Sequence, residues 1–363
     1  MDGSTAISWP YIYHGTLTFN GGTINMISNM HTCVLEVIYG TLVFASPTSI
    51  SINRIYYTYE SADAGNMVVT SGDYGSARIV IESNSASAVI FNLGGDVTTT
   101  GGFCITNGNA TGTLTFNTQN YSLTASYFKF GVDVAHYYPK GGATANFGSS
   151  IINLTGADGL AVVANGGYTP TYNVNLGSSV WHNAGNWITS DSGAILNITI
   201  GTFVITFDGT TTSTISGDNT FNNFTSTTAG KTIYFTAGSI QTINGALTLT
   251  GVVLRSTTSG SQWKINPKGA MAISGINIQD SYNMLGTYIF PYPTISIDNG
   301  NNSWWFTPKP IDIKEVTANI KGYENVTNPG DLVPPIVPQV PNQIRVDAMI
   351  AMSRDDLVNM EYD

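Results

Sequence analysis

Apolar and polar residues alternate with a period of two in several short segments of the chain. In Thr113–Asn117 (TLTFN) and Ala246–Thr250 (ALTLT), Leu and Phe fall on one side and Thr or Asn on the other. This alternation is typical of β-strands with one buried and one solvated face. Segments rich in Gly, Asn and Asp, such as 217–219, separate the strands and are typical of turns. The pattern predicts an all-β fold before residue 340.

Near-identical strands recur along the chain. The hexapeptide GTLTFN at Gly15–Asn20 returns unchanged at Gly112–Asn117, and variants of it stand at 40–45, 201–206 and 245–250. The distances between their starts fit a unit of roughly 22 to 25 residues with local insertions. A second pair of similar segments, 146–150 and 175–179, is separated by 29 residues.

A repeat of this length predicts a stacked parallel β-solenoid, specifically a right-handed β-helix, in which Gly15–Asn20 and Gly112–Asn117 occupy equivalent layers. One unit cannot bury its own apolar face, but stacked units bury a continuous core. One β-sandwich or a pair of them is the alternative, because sandwiches also have short strands separated by frequent turns.

The composition changes after Phe306. Residues 308–363 hold 14 of the 36 charged residues and 7 of the 14 prolines. We therefore divide the chain into a solenoid, 1–307, and an extended Pro-rich arm, 308–363, that ends in a short helix with Ser353 as its N-cap. A helix this short needs a partner surface to persist. The arm is predicted to dock on a partner through Pro334, Pro335, Pro338, Leu357, Val358 and Met360.

Charge and cysteine content narrow the function classes. The net charge is −10 and only 10% of residues are charged, which argues against a nucleic-acid groove because such a groove needs a Lys/Arg stripe. Cys33 and Cys104 lack metal or redox spacing and are expected to be buried thiols. No cofactor or metal is expected, and neither a leader nor a membrane span is seen, so the chain is expected in the cytoplasm or as part of a longer protein.

Candidate catalytic residues are sparse. Carbohydrate-cleaving enzymes need paired carboxylates, whereas Asp133, Asp158, Asp191, Asp208 and Asp218 are single and widely spaced. Asp158, Asp208 and Asp218 each stand beside a glycine and are expected to be turn residues that bond their own backbone. The four histidines are likewise isolated. The sequence favours a protein that is not an enzyme, with a glycosidase or polysaccharide lyase as the remaining alternative.

Clustered aromatic residues are candidates for stacking on a sugar or for binding another protein, since Tyr and Trp often occur at interfaces. The alternative is that they cap turns or fill inserted loops. The candidates are Tyr56, Tyr57, Tyr59, Tyr137, Tyr138 and Trp181.

Four segments carry a resemblance to known proteins: 232–245, 254–263, 276–281 and 298–306, the last reading DNGNNSWWF. Together they resemble the right-handed β-helix repeat proteins of tailed-phage virions and bacterial surface adhesins. The match covers 210–306, and 15–209 match by repeat style only. The resemblance implies a virion fibre, spike or capsid-attached protein that assembles with other virion subunits in the host cytoplasm. It also implies a homo-oligomer, for example a trimer, and a host-surface glycan as a further partner. An exported adhesin or a polysaccharide depolymerase is the alternative.

Overall fold

A computed structural model gives the fold of residues 11–308, and the residues it describes exclude 14, 20–21, 27–33, 39, 45–47, 53, 61–63, 132–138, 164–166, 210–211 and 291–293. The regular structure of the described residues is entirely β. No helix in this part of the chain has the length and apolar character needed to cross a membrane.

The strands are short and follow one another closely. The first third contains β1 Tyr11–Tyr13, β2 Thr16–Phe19, β3 Gly22–Met26, β4 Val34–Ile38, β5 Thr41–Phe44, β6 Thr48–Ile52, β7 Arg54–Tyr59, β8 Gly65–Val69, β9 Gly72–Asp73, β10 Arg78–Ser83, β11 Ala88–Leu93 and β12 Val97–Thr98. The middle contains β13 Gly102–Asn107, β14 Thr113–Asn117, β15 Leu123–Phe130, β16 Ala143–Asn146, β17 Ile151–Val162, β18 Thr171–Asn175, β19 Val180–Asn183, β20 Trp187–Ile188, β21 Ser190–Asp191, β22 Ala194–Thr199, β23 Val204–Phe207 and β24 Ser213–Ile215. The last part contains β25 Asn219–Phe221, β26 Asn223–Ser226, β27 Thr232–Phe235, β28 Ile240–Ile243, β29 Leu247–Thr250, β30 Val253–Ser256, β31 Trp263–Pro267, β32 Met271–Ser274, β33 Asn277–Ile278, β34 Ser281–Asn283, β35 Ile297–Asp298 and β36 Asn302–Ser303.

These strands stack in parallel ladders. The first ladder runs β1-β4-β7-β10-β13-β15-β17-β20-β24-β27-β30-β33-β35. The second runs β8-β11-β14-β16-β18-β22. The third runs β9-β12-β15-β17-β19-β23-β26-β29-β32 and joins the first where β15 and β17 pass around a corner. A separate five-stranded sheet, β25-β28-β31-β34-β36, accompanies the later turns, and β2–β5 and β3–β6 pair at the beginning.

The described part of the chain is therefore a parallel β-solenoid of about ten turns, as predicted. Strands pair with the equivalent strand of the next turn, which a sandwich of antiparallel sheets would not do. The one antiparallel pair among the described strands is the β21–β22 hairpin.

The registers explain the sequence repeats. Leu17 pairs with Leu42 one turn later, at the predicted spacing of 25 residues. Gly15–Asn20 contains β2, which follows β1, and Gly112–Asn117 contains β14, which follows β13. Because β1 and β13 both belong to the first ladder, β2 and β14 are each the second strand of their turn. The variants at 201–206 and 245–250 instead supply β23 and β29 of the third ladder. The motif marks a buried strand of this fold rather than one particular face.

The core lies between the ladders and is rich in aromatic rings. Along β14 the side chains of Leu114 and Phe116 are buried, whereas those of Thr113, Thr115 and Asn117 point outward. Aromatic contacts continue from turn to turn, with ring centroids 5.4 Å apart for Phe103–Phe128, 4.9 Å for Phe147–Trp181 and 3.9 Å for Phe235–Trp263. Within one turn, Trp181 and Trp187 lie 5.6 Å apart. Burying each such side chain contributes about 2 to 3 kcal/mol, so neighbouring turns hold each other in place.

Tight approach of the turns requires glycine at defined positions. Gly177 has a φ of +60°, and a Cβ there would lie 2.4 Å from the carbonyl oxygen of Gly148 in the preceding turn. This contact explains why the glycine of the 146–150 segment recurs in the 175–179 segment.

The chain divides into two units after Thr307. The predicted arm lies outside the described residues from 309 onward, and so does its predicted terminal helix.

Candidate functional site

The aromatic residues predicted to face a ligand are buried wherever the structure describes them. Tyr57 and Trp181 are fully buried in the core, and Tyr56 and Tyr59 are 1% and 7% exposed. The Tyr57 hydroxyl lies 2.8 Å from that of Tyr74, and burial raises the pKa of Tyr57 well above its ordinary value. The ligand-facing assignment of these four residues was wrong, because strand β7 is buried on both faces and strand β19 directs Trp181 into the core.

The remaining predicted site residues fall outside the described part of the chain. These are Tyr137 and Tyr138, and in the arm Pro334, Pro335, Pro338, Leu357, Val358 and Met360. Cys33 and Asp133 also lie outside the described residues. Cys104 is a buried free thiol, as expected.

Asp158, Asp208 and Asp218 bond to a neighbouring turn, not to their own backbone; the Asp208 carboxylate lies 2.8 Å from Nδ1 of His182. Asp158 receives a bond of 2.7 Å from Lys129, and Asp218 accepts a bond of 2.8 Å from the backbone N–H of Ile240. The prediction of local turn bonds was wrong for these residues because stacking brings the next turn within reach.

A charged patch covers the outer side of the first ladder. Arg54 pairs in register with Arg78, and the ring of Tyr127 lies between the Arg78 guanidinium, 5.8 Å from its centroid, and the Lys129 ammonium, 4.4 Å away. The ring also lies over Gly102, where a Cβ would be 2.0 Å from it. Two arginines therefore lie at paired positions of neighbouring turns, and Lys129 forms an ion pair of 2.7 Å with Asp158.

Lys231 occupies a buried corner near the third ladder. Its side chain is 1% exposed, and its ammonium donates a hydrogen bond of 3.1 Å to the carbonyl oxygen of Ala184. Burial lowers the pKa of Lys231 to about 8, partly offset by the negative charge of Asp208. Asp208 also lies 2.8 Å from Nδ1 of His182 on the solvent side of this corner. In the described residues no group of three or more His, Cys, Asp or Glu is placed to hold a metal ion.

The outer side of the second ladder differs from that of the first because its strands carry no charged side chains. None of its six strands contains Asp, Glu, Lys, Arg or His. Its outward side chains form two adjacent rows across the turns, which we call the amide face. The rows are Thr115, Thr144, Asn173 and Asn197, and Asn92, Asn117, Asn146 and Asn175. In the preceding turns the same rows continue with Ile90, which is 36% exposed, and Val68, which is 44% exposed.

The second row is an asparagine ladder. The amide of Asn117 donates to the side-chain oxygen of Asn92 at 2.9 Å, Asn146 donates to Asn117 at 2.8 Å, and Asn175 donates to Asn146 at 2.6 Å. Parallel in-register strands place identical side chains one strand spacing apart, about 4.8 Å. The ladder therefore fixes the orientation of each amide group while leaving the side chains half-exposed.

Two exposed tyrosines are close in sequence to strands of the second ladder. Tyr121 follows the end of β14 and is 41% exposed, and Tyr168 precedes the start of β18 and is 40% exposed. The Lys140 ammonium lies 5.9 Å from the centroid of the Tyr168 ring. Sequence reasoning did not single them out, because it sought clusters of aromatic residues and these two stand alone.

The last turns carry a concentration of exposed apolar side chains. Ile295 is 81% exposed and Ile297 53% exposed, and Met271, Met284, Leu285, Tyr288 and Trp304 lie nearby in the sequence. Among the described strands, β32, β35 and β36 are the last of their ladders. In contrast, Trp305 is fully buried and donates to the Ser281 hydroxyl at 2.9 Å.

No family model, curated protein or solved structure matches the chain.

Proposed function

We propose that the protein is a non-enzymatic structural element of a larger assembly, in which the solenoid serves as a stiff spacer. The observation that carries this proposal is the unbroken first ladder from β1 to β35, together with the core it encloses. Close-packed interiors have low compressibility, so a continuous stack resists bending.

The interior supports a structural role more readily than a catalytic one. A cavity between Phe224, Leu247, Leu254 and Trp263 is apolar and measures about 10 Å³, close to the space of one water molecule. At the surface, Lys129 is held in an ion pair with Asp158. Neither arrangement offers the paired carboxylates of a glycosidase.

In its specific form, the proposal is a virion protein, a fibre, spike or capsid-decorating subunit. It rests on the resemblance of 210–306 to β-helix proteins of tailed phages and on the change of composition at 308. The arm would dock on a neighbouring virion component. Homo-oligomerisation is supported by the exposed apolar side chains of the last turns, since large exposed apolar patches mark association sites.

Assembly state and enzymatic activity together test the proposal. The full chain and a chain lacking 308–363 are compared by analytical ultracentrifugation, by circular dichroism, and by release of reducing ends from polysaccharides. We expect the full chain to sediment as an oligomer and the truncated chain to keep its β spectrum but lose incorporation into the assembly. A monomeric full chain, normal assembly of the truncated chain, or catalytic release of reducing ends would overturn the proposal.

A further inference from the structure

The third ladder ends with an uncovered strand. Among the described strands, β32 pairs only with β29, so its other edge is open. An inward row of the core runs through Phe224, Leu247 and Met271, which are 3%, 1% and 42% exposed. In the adjacent row, Ile273 follows the buried Leu249 and is itself only partly buried. The apolar core of the solenoid therefore reaches the surface at β32.

The backbone of β32 also presents bonding groups on this open edge. The N–H of Leu247 in β29 donates to the carbonyl oxygen of Ala270 at 2.9 Å. Backbone groups of successive residues point alternately to the two sides of a strand, so those of Met271 and Ile273 point away from β29. Each residue supplies one donor and one acceptor. An edge of this kind is a template for pairing with a strand of another chain.

Other side chains of the last turns enlarge the apolar surface. Phe290 and Trp305 are 7% and 0% exposed and close one part of the core. Ile295, in contrast, is 81% exposed, and its Cδ1 lies 3.9 Å from where a Cβ of Gly275 would stand, directly after β32. Together the exposed apolar side chains of the last turns present an area on the order of the roughly 800 Å² that each partner buries in a standard interface.

A second copy of the chain is the partner that suits this end. A twofold axis perpendicular to the sheet places β32 of two copies side by side and antiparallel, so that identical edges satisfy each other's donors and acceptors. The same axis keeps the inward side chains of both strands on one side of the joined sheet. Residues 271–274 carry no charge, so no like charges lie directly opposite each other, although each chain has a net charge of −10.

We propose that two copies of the protein join end to end through β32, antiparallel about a twofold axis. Met271 and Ile273 of both copies then close a single continuous core. The inference rests on the homo-oligomer of the proposed function and specifies its interface. It joins two stacks of about ten turns into one stack of double length, whereas side-by-side association would keep the length of one copy.

The size and length of the full chain test the joint. Sedimentation velocity gives the number of copies, and negative-stain electron microscopy gives the length of the solenoid. We expect dimers with a solenoid about 100 Å long, against about 50 Å for one copy, because each turn adds about 4.8 Å. A monomer, an open filament or a side-by-side oligomer of single-copy length would overturn the proposal.

Matched substitutions locate the interface. Met271→Lys brings like charges into the joint, and Ile195→Lys places the same charge on the second ladder at a side chain of similar exposure, 45% against 42%. We expect dimerisation to weaken at least tenfold for Met271→Lys and not to change for Ile195→Lys. Met271→Glu should also dissociate, and an equimolar mixture with Met271→Lys should form dimers again because opposite charges meet. Circular dichroism and thermal unfolding establish that each variant is folded.

Ile273→Pro tests the backbone pairing itself. Proline removes an N–H that points to the open edge and keeps the bonds to β29, so the variant should retain its β spectrum while its dimers weaken at least tenfold. If folded Met271→Lys and Ile273→Pro both remain as oligomeric as the wild type, the contact lies elsewhere; that result refutes the joint but leaves the structural role standing. Catalytic release of reducing ends by the wild type would instead overturn that role and leave the joint standing.

Discussion

Replacing Lys231 by methionine should make the protein more stable at neutral pH. The lysine is 1% exposed, and burial lowers its pKa from 10.5 to about 8. Since one pH unit corresponds to about 1.4 kcal/mol, keeping the charged form in the fold costs about 3 kcal/mol. Methionine has a similar volume and carries no charge, but it loses the bond to Ala184, which contributes about 1 kcal/mol. The expected net gain in the free energy of unfolding is about 2 kcal/mol.

The gain should depend on pH in a defined direction. Below pH 8 the lysine is protonated in both the folded and the unfolded chain, so the cost is fully present. Between pH 8 and 10.5 the folded chain releases the proton while the unfolded chain retains it, so the stability of the wild-type protein rises with pH. Above this range methionine should be slightly destabilising, because the cost of burying the charge is gone while the hydrogen bond to Ala184 is still lost.

Urea unfolding followed by circular dichroism at pH 7, 8, 9 and 10 measures this effect as the difference between Lys231→Met and wild type. Lys268→Met, at an exposed lysine, is the matched control and should change stability by less than about 0.5 kcal/mol at any pH. The reasoning is refuted if Lys231→Met is destabilising at pH 7, or if the difference between the two proteins does not fall as the pH rises.

Three further substitutions test the fold and the amide face. Asn146→Ala removes two ladder bonds and should cost about 2 kcal/mol in urea unfolding, whereas Asn197→Ala removes a single exposed bond of 3.4 Å and should cost under about 0.5 kcal/mol; equal costs would contradict an energetic role for the ladder. Gly102→Ala should displace the ring of Tyr127 and lower the melting temperature, and an unchanged melting temperature would argue against their close contact. Trp181→Ala should cost about 3 to 5 kcal/mol in chemical unfolding as a core deletion, and a cost below about 1 kcal/mol would contradict its burial.

The repeating fold could be predicted from the sequence because the same residues satisfy local and global requirements. Alternation in 113–117 predicts a strand, and recurrence of the hexapeptide predicts that strands stack. The face on which each copy lies could not be predicted, since insertions shift the chain around the turn. The copies at 201–206 and 245–250 therefore lie on the third ladder.

The candidate site was harder to predict, because exposure depends on neighbours distant in the chain. The run of tyrosines at 56–59 has the composition of a binding surface, but strand β7 is covered on both sides. The asparagine ladder did leave a signal. Asn117, Asn146 and Asn175 recur at intervals of 29 residues, which is the separation of the 146–150 and 175–179 segments.

Turn-by-turn stacking also bears on how such a protein changes over evolutionary time. Backbone hydrogen bonds of each ladder join one turn to the turns directly before and after it. In repeat architectures of this kind, stability is approximately a sum of single-unit terms and nearest-neighbour terms. Duplication or loss of one whole turn would then lengthen or shorten the solenoid, and extend or trim the amide face, without requiring any other layer to repack.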